Sequence, residues 1–129
     1  MSSDELLQIG EVAARTELSI KTIRHYDDVG LVRPSARSGG GFRLYTAGDV
    51  SRLIAIRRMK PLGFTLDEMR DLLAALDTLA DPAAGVADRE QAREFLSVCH
   101  TRAKEACVTL TKQLTYAREL TGQLAEFSS

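Results

Sequence analysis

The sequence predicts a mostly α protein, with an N-terminal winged helix-turn-helix followed by one long coiled-coil dimerisation helix. Three observations predict it. Two short amphipathic helices meet at a tight turn before Gly30, a glycine-rich β-prone stretch follows them, and a heptad seam runs through the last third of the chain. At 129 residues there is room for a small domain plus an extended element, which excludes a large multidomain enzyme.

The first helix begins at Ile9, where Ile9, Val12 and Ala13 fall at helical spacing, and it ends near Thr16 to Ser19. The second opens at Ser19, whose hydroxyl suits the amides of Lys21 or Thr22, and runs to about Val29, where Gly30 stops it. Two helices so joined form a helix-turn-helix. Leu31 to Pro34 and Phe42 to Tyr45 are β-prone and flank Ser38-Gly39-Gly40-Gly41, whose glycines allow the positive φ of a hairpin tip, so a wing is expected. In that wing Phe42 and Leu44 are expected to alternate inward around Arg43.

A third helix starts at Thr46 to Asp49, continues through Val50, Leu53, Ile54 and Arg57 to Lys60, and breaks at Pro61 and Gly63. Thr65 and Glu68 stand three apart as a capping box, opening a fourth helix along Leu66, Met69, Leu72, Leu73 and Leu76. The expected division is a winged unit over 6–76, a linker over 77–87 around Pro82, and a dimerisation helix over 88–127.

From Asp88 to Ala125 there is no proline and no glycine before Gly122, which permits one helix of roughly 55 Å. Leu96, Cys99, Ala103, Ala106, Leu110, Gln113, Ala117, Leu120, Leu124 and Phe127 alternate spacings of three and four without a slip. A stripe this narrow on a helix this long needs a second chain to cover it, so a homodimer is expected in preference to a fold-back onto the N-terminal half. Gln113, the one polar seam position, suits a hydrogen bond that fixes register across the dimer.

The net charge of −1 argues against a nucleic-acid partner only until its distribution is seen. Ten Lys/Arg face four Asp/Glu between Arg15 and Lys60, a local +6, while the first fourteen residues carry −3 and residues 61–129 carry −4. It is the local field that meets a phosphate backbone. No apolar run approaches the roughly 20 residues of a membrane span, so a soluble chain without a membrane partner is expected. The acidic stretch Met1 to Glu5 lacks a signal-peptide pattern, which suggests a cytoplasmic protein with reduced cysteines.

Several motifs occur in order: Ile9-Gly10-Glu11-Val12-Ala13, Ser19 through Asp27, Gly30-Leu31, Phe42-Arg43-Leu44-Tyr45, Asp49-Val50, and Lys60-Pro61-Leu62-Gly63-Phe64-Thr65-Leu66-Asp67-Glu68. This ordered set resembles the MerR family of transcription regulators over about the first 76 residues. The long helix is similar to that family's antiparallel dimerisation helix. The resemblance implies a sequence-specific regulator whose homodimer binds double-stranded promoter DNA at a pseudo-palindrome. It also implies distortion of an overlong spacer, so that RNA polymerase engages both promoter elements. The chain departs from the common pattern at His25, where Tyr or Phe is frequent, and in its glycines 39–41.

On this reading Ser19 to Val29 is the recognition helix, with Ser19, Lys21, Thr22 and Arg24 toward the major groove. Arg24 either reads a guanine edge or meets a phosphate. Tyr26 and Tyr45 each offer a phenol hydroxyl to a phosphate while the ring packs, and for Tyr26 packing alone is an equal alternative. Arg43, with Arg37 beside it, is expected at a phosphate or in the minor groove. Arg57, Arg58 and Lys60 lead into a second wing, where they bind phosphate or complement their own helix dipole.

No cofactor and no metal are expected. Cys99 and Cys107 are about 12 Å and some 80° apart on a helix, too far for one metal, and read as small apolar residues. The long helix is expected to run almost to residue 129, so neither a metal loop nor a ligand domain is expected after it. No nucleophile elbow, phosphate-binding glycine loop or paired carboxylates suggest an enzyme. A small-molecule-sequestering or thiol-sensing protein carrying the same domain is the alternative reading. A coiled-coil module without DNA binding leaves the basic segment unexplained.

Overall fold

The computed structural model describes residues 5–128. Apart from Glu5, the acidic stretch behind the expectation of no signal segment lies outside the described residues. The chain divides into two compact units, one up to Ala74 and one from Ala75. No helix among the described residues is long and apolar enough to cross a membrane.

The first unit begins with a short strand, β1 (Leu7–Gln8), and helix α1 (Ile9–Thr16). α1 ends because Glu17 turns into the left-handed region at φ 60°, and its amide closes back onto Ala13. Helix α2 (Ile20–Asp28) follows, with the Ser19 hydroxyl accepting from the Thr22 amide at 3.0 Å. Gly30, at φ 72°, provides the exit from α2.

Strands β2 (Ala36–Arg37) and β3 (Arg43–Tyr45) form the wing, and the sheet order is β1-β3-β2, all antiparallel. The β-prone run Leu31 to Pro34 is not a strand, contrary to expectation. The amides of Leu31 and Val32 both turn back to the Tyr26 carbonyl, at 2.9 and 3.2 Å, and both side chains are buried. Their apolar character is used in the core rather than in a ladder. β1 is a further difference, a two-residue strand too short to carry a periodic signal.

Helix α3 (Ala47–Met59) starts at a reciprocal capping box between Thr46 and Asp49 and passes into a 3-10 turn at Lys60–Leu62, ended by Gly63 at φ 84°. Helix α4 (Leu66–Ala80) opens on the expected Thr65 and Glu68 box, with bonds of 2.8 and 3.1 Å. Val12, Thr16, Ile23, Tyr45, Leu53 and Ile56 are wholly enclosed and form the centre of this unit.

The second unit holds the end of α4 and helix α5 (Val86–Ser128), 43 residues and so about 64 Å long. Helix occupies most of the expected linker 77–87, leaving only residues 81–85 outside α4 and α5. Arg89 organises that turn, donating to the carbonyls of Asp81, Ala84 and Leu79 at 2.6, 3.3 and 3.4 Å. These include carbonyls that the end of α4 leaves without an intrahelical partner.

Candidate nucleic-acid interface

Helix α2 is amphipathic for a packing reason. Ile23 and Tyr26 lie in the core, Asp27 is buried beside them, and Lys21, Arg24 and His25 are exposed on the other side. Among the described residues no hydrogen bond or ion pair holds the side chains of Lys21 or Arg24, so both cations are available to a ligand. Thr22 is half-buried, and Ser19 Oγ donates to its Oγ1 at 2.8 Å, so these two hydroxyls are engaged in the cap.

An open cleft of about 730 Å³ lies between α2 and the segment from the 3-10 turn into α4. Lys21, Thr22, His25, Lys60 and Thr65 bring polar groups to it, and buried Tyr26, Phe64 and Met69 bring apolar surface. A cationic cleft with an apolar wall suits a sugar-phosphate strand. Burial raises the Tyr26 phenol above its ordinary value of 10.0.

The wing arginines are held more firmly than their sequence suggests. Asp27 Oδ2 accepts from Arg43 Nε at 2.7 Å and from Arg37 Nη2 at 3.1 Å, and Arg43 Nη2 reaches Asp28 at 3.6 Å. The hydrogen bond to Asp27 is the main cause that raises the Arg43 pKa. Arg37 also donates to the Gly41 carbonyl at 3.2 Å, and its side chain stays half exposed. Arg24, Arg43, Gly41 and Phe42 line a small cleft of about 130 Å³ that joins α2 to the wing.

Phe42 corrects the expected alternation, for it points out and is 72% exposed. The turn at Ser38 to Gly41 places it beyond β3, over Gly40, where a Cβ would meet its ring at 3.3 Å. Tyr45 is a second correction. It is wholly enclosed, and its hydroxyl is buried without a hydrogen-bond partner, so it offers nothing to a phosphate in this conformation. Desolvation, with Asp27 next in effect, raises its phenol above 10.0.

Of the three cations at the end of α3, Arg57 is occupied within the protein. Its Nη1 donates to the Thr16 carbonyl at 2.7 Å and meets Glu17 at 3.2 Å, closing the end of α1. Arg58 and Lys60 are exposed, and no partner holds either among the described residues. Arg70 does for α2 what Arg57 does for α1, donating to the Val29 carbonyl at 2.9 Å.

Sequence reasoning missed the long-range contacts of Asp27, Asp49 and Arg70. Asp49 accepts from the amides of Ser35 and Thr46, both at 3.0 Å, and from the Ser35 hydroxyl at 2.9 Å, which ties the base of the wing to α3. The available signal was the occurrence of acids inside a basic segment, which need partners if buried. Cys99 is buried and Cys107 exposed, and no three metal-ligating side chains are grouped among the described residues.

The heptad seam divides in two. Leu96, Ala103 and Ala106 are partly covered and Cys99 buried within the single chain, whereas Gln113 and Ala117 are exposed and Leu110, Leu120, Leu124 and Phe127 are 38, 55, 56 and 86% exposed.

Comparison with known proteins agrees with this geometry. Residues 7–76 match the family described as MerR HTH family regulatory protein. The chain is 42% identical over 87 residues to the HTH-type transcriptional regulator HmrR of Rhizobium leguminosarum bv. viciae, covering 67% of each chain. It is 41% identical over 80 residues to the HTH-type transcriptional regulator CueR of Yersinia pestis, covering 62% of this chain and 58% of that relative. Its fold is similar to that of HiNmlR, a MerR family regulator lacking the sensor domain and solved bound to promoter DNA. There the TM-score is 0.70 at 22% identity, covering 94% of this chain and 85% of that one. The match reaches two thirds of the HmrR regulator's length and less of CueR's. With a helix-turn-helix, a wing and a family model that spans both, the chain belongs to the MerR family of helix-turn-helix regulatory proteins, which are DNA-binding transcription regulators and not enzymes.

Proposed function

We propose that this protein is a cytoplasmic homodimer that binds a pseudo-palindromic promoter element in double-stranded DNA, distorts its spacer and so controls access by RNA polymerase. The observation that carries this reading is the outer face of α2, where Lys21 and Arg24 stand exposed and unpaired on a helix locked from behind by Ile23 and Tyr26. Arg24 and the helix N-terminus face the major groove, while Lys21, Arg58 and Lys60 meet phosphates. Arg37 and Arg43 act from the wing, and Tyr26 is a wall of the cleft.

The uncovered apolar seam from Leu110 to Phe127 supports pairing with a second copy. Two recognition helices joined through such a seam favour one DNA geometry, and contacts at both half-sites then offset the cost of deforming the spacer between them. The test is to incubate the protein with fragmented genomic DNA of its source, sequence the bound fraction at low and physiological salt, and footprint the best fragment. A protected pseudo-palindrome within a promoter spacer is expected. Recovery of bulk DNA without enrichment at either salt sinks the reading.

A further inference from the structure

A carboxylate inside a surface that meets phosphates is unfavourable unless it does something else there. Asp27 is 7% exposed, and one of its oxygens accepts from guanidinium groups on both wing strands. Arg37 and Arg43 are register partners directly opposite each other on β2 and β3. Like charges in that position repel. Asp27 removes the conflict and leaves the group with one net positive charge.

The wing depends on this tie for a mechanical reason. Its strands are two and three residues long, and a hairpin of that size is not stable alone. Its base is fixed, through the pairing of β3 with β1, Tyr45 in the core and Ser35 on Asp49. Its tip bonds only within the hairpin, Ser38 to Phe42 at 2.9 Å, Gly41 to Ser38 at 2.9 Å, and Arg37 to the Gly41 carbonyl at 3.2 Å. Among the described residues, the polar ties from these strands to the recognition helix all run to Asp27 and its neighbour Asp28. Asp27 lies three residues after Arg24, which shares its small cleft with Phe42 and Arg43. The separation between Arg24 and the wing therefore follows from where Asp27 holds the two arginines.

We infer that Asp27 is a positioning residue: it sets the wing at a fixed distance from the recognition helix, and sequence discrimination depends on it although it does not itself bind DNA. This inference rests on the DNA-binding reading above, and it predicts an effect opposite in sign to simple electrostatics. Removing a negative charge near DNA tightens binding to any sequence. Releasing the wing weakens binding to the correct sequence only.

The experiment compares Asp27→Asn and Asp27→Glu with the parent protein on the genomic fragment selected above and on a scrambled duplex of equal length. Asp27→Asn removes the charge at constant shape, whereas Asp27→Glu keeps the charge and displaces it by one methylene. For both, the ratio of selected to scrambled affinity is expected to fall about tenfold, the size of one discriminating base interaction. Scrambled binding by Asp27→Asn is expected to stay level or tighten. In the free protein, amide hydrogen exchange over residues 36–45 should rise while α1 and α3 remain protected. An unchanged ratio in Asp27→Glu, or unchanged exchange over 36–45 in both variants, overturns the inference. Should Asp27→Asn lose protection throughout, Asp27→Glu decides alone. If the parent protein does not distinguish the two duplexes, it is the DNA-binding reading that fails, and the exchange data still decide whether Asp27 holds the wing.

Discussion

Arg57 and Arg58 are adjacent in sequence and unlike in surroundings. Arg57 closes the last turn of α1 through the Thr16 carbonyl, and Arg58 points to solvent. Arg57→Ala should lower folding stability by about 1–2 kcal/mol, as expected for a lost charged hydrogen bond, measured by urea unfolding. Arg58→Ala should leave stability unchanged and reduce the slope of log affinity against log salt by about one, the effect of one phosphate no longer neutralised. Tyr45 gives a different kind of prediction. Its hydroxyl is buried and unpartnered, so Tyr45→Phe should be neutral or stabilising by up to about 1 kcal/mol and leave DNA affinity unaltered. The raised phenols of Tyr26 and Tyr45 hold their protons more tightly in the folded than in the unfolded chain. The stability they contribute is therefore complete below the ordinary phenol value and is lost as pH rises through the folded-state values. Urea midpoints should fall as pH rises through and above the ordinary phenol value of 10.0, and less steeply in Tyr45→Phe.

At the level of elements, the helices were legible because their signals are local. Ser19, the Thr46–Asp49 box and the Thr65–Glu68 box cap the helices they precede in sequence, and Gly30 and Gly63 end what precedes them. Thr46→Ala should cost about 1 kcal/mol on thermal or urea unfolding. The wing was legible as a turn and its second strand but not its first, since Leu31 and Val32 satisfy a strand pattern and a core position equally well and only packing separates the two. In α5 the heptad period is equally local, and off the seam Thr111, Thr115 and Thr121 return their hydroxyls to carbonyls of the preceding turn. Leu120→Glu places a charge in the exposed part of the seam and should convert a dimer to monomer in sedimentation equilibrium. DNA affinity should fall with it, because each half-site is then bound alone.

For the whole molecule, the contrast between a net charge of −1 and a basic segment of +6 matters more than either number alone. Binding to DNA should weaken steeply with salt despite the acidic isoelectric point of about 6.1, since the counterions released are those near the basic unit. Structure nonetheless reassigns part of that basic charge. Arg57, Arg37 and Arg43 each have an acidic partner, whereas Lys21, Arg24, Arg58 and Lys60 have none among the described residues. The steepest part of the salt dependence should thus be lost by neutralising Lys21 or Lys60, not Arg57.

The sequence by itself determined the order of helices, their caps and breakers, the heptad period of α5 and the family, because each of these is written in residues a few positions apart. Tertiary structure alone decided which cations are free, since the acids that hold them lie far along the chain: Asp27 against Arg37 and Arg43, and Glu17 against Arg57, forty residues away. It also decided that Tyr45 is enclosed and Phe42 is not. Neighbouring positions of similar composition differ in this way because burial depends on what the rest of the chain brings beside them, and a local pattern carries no record of that.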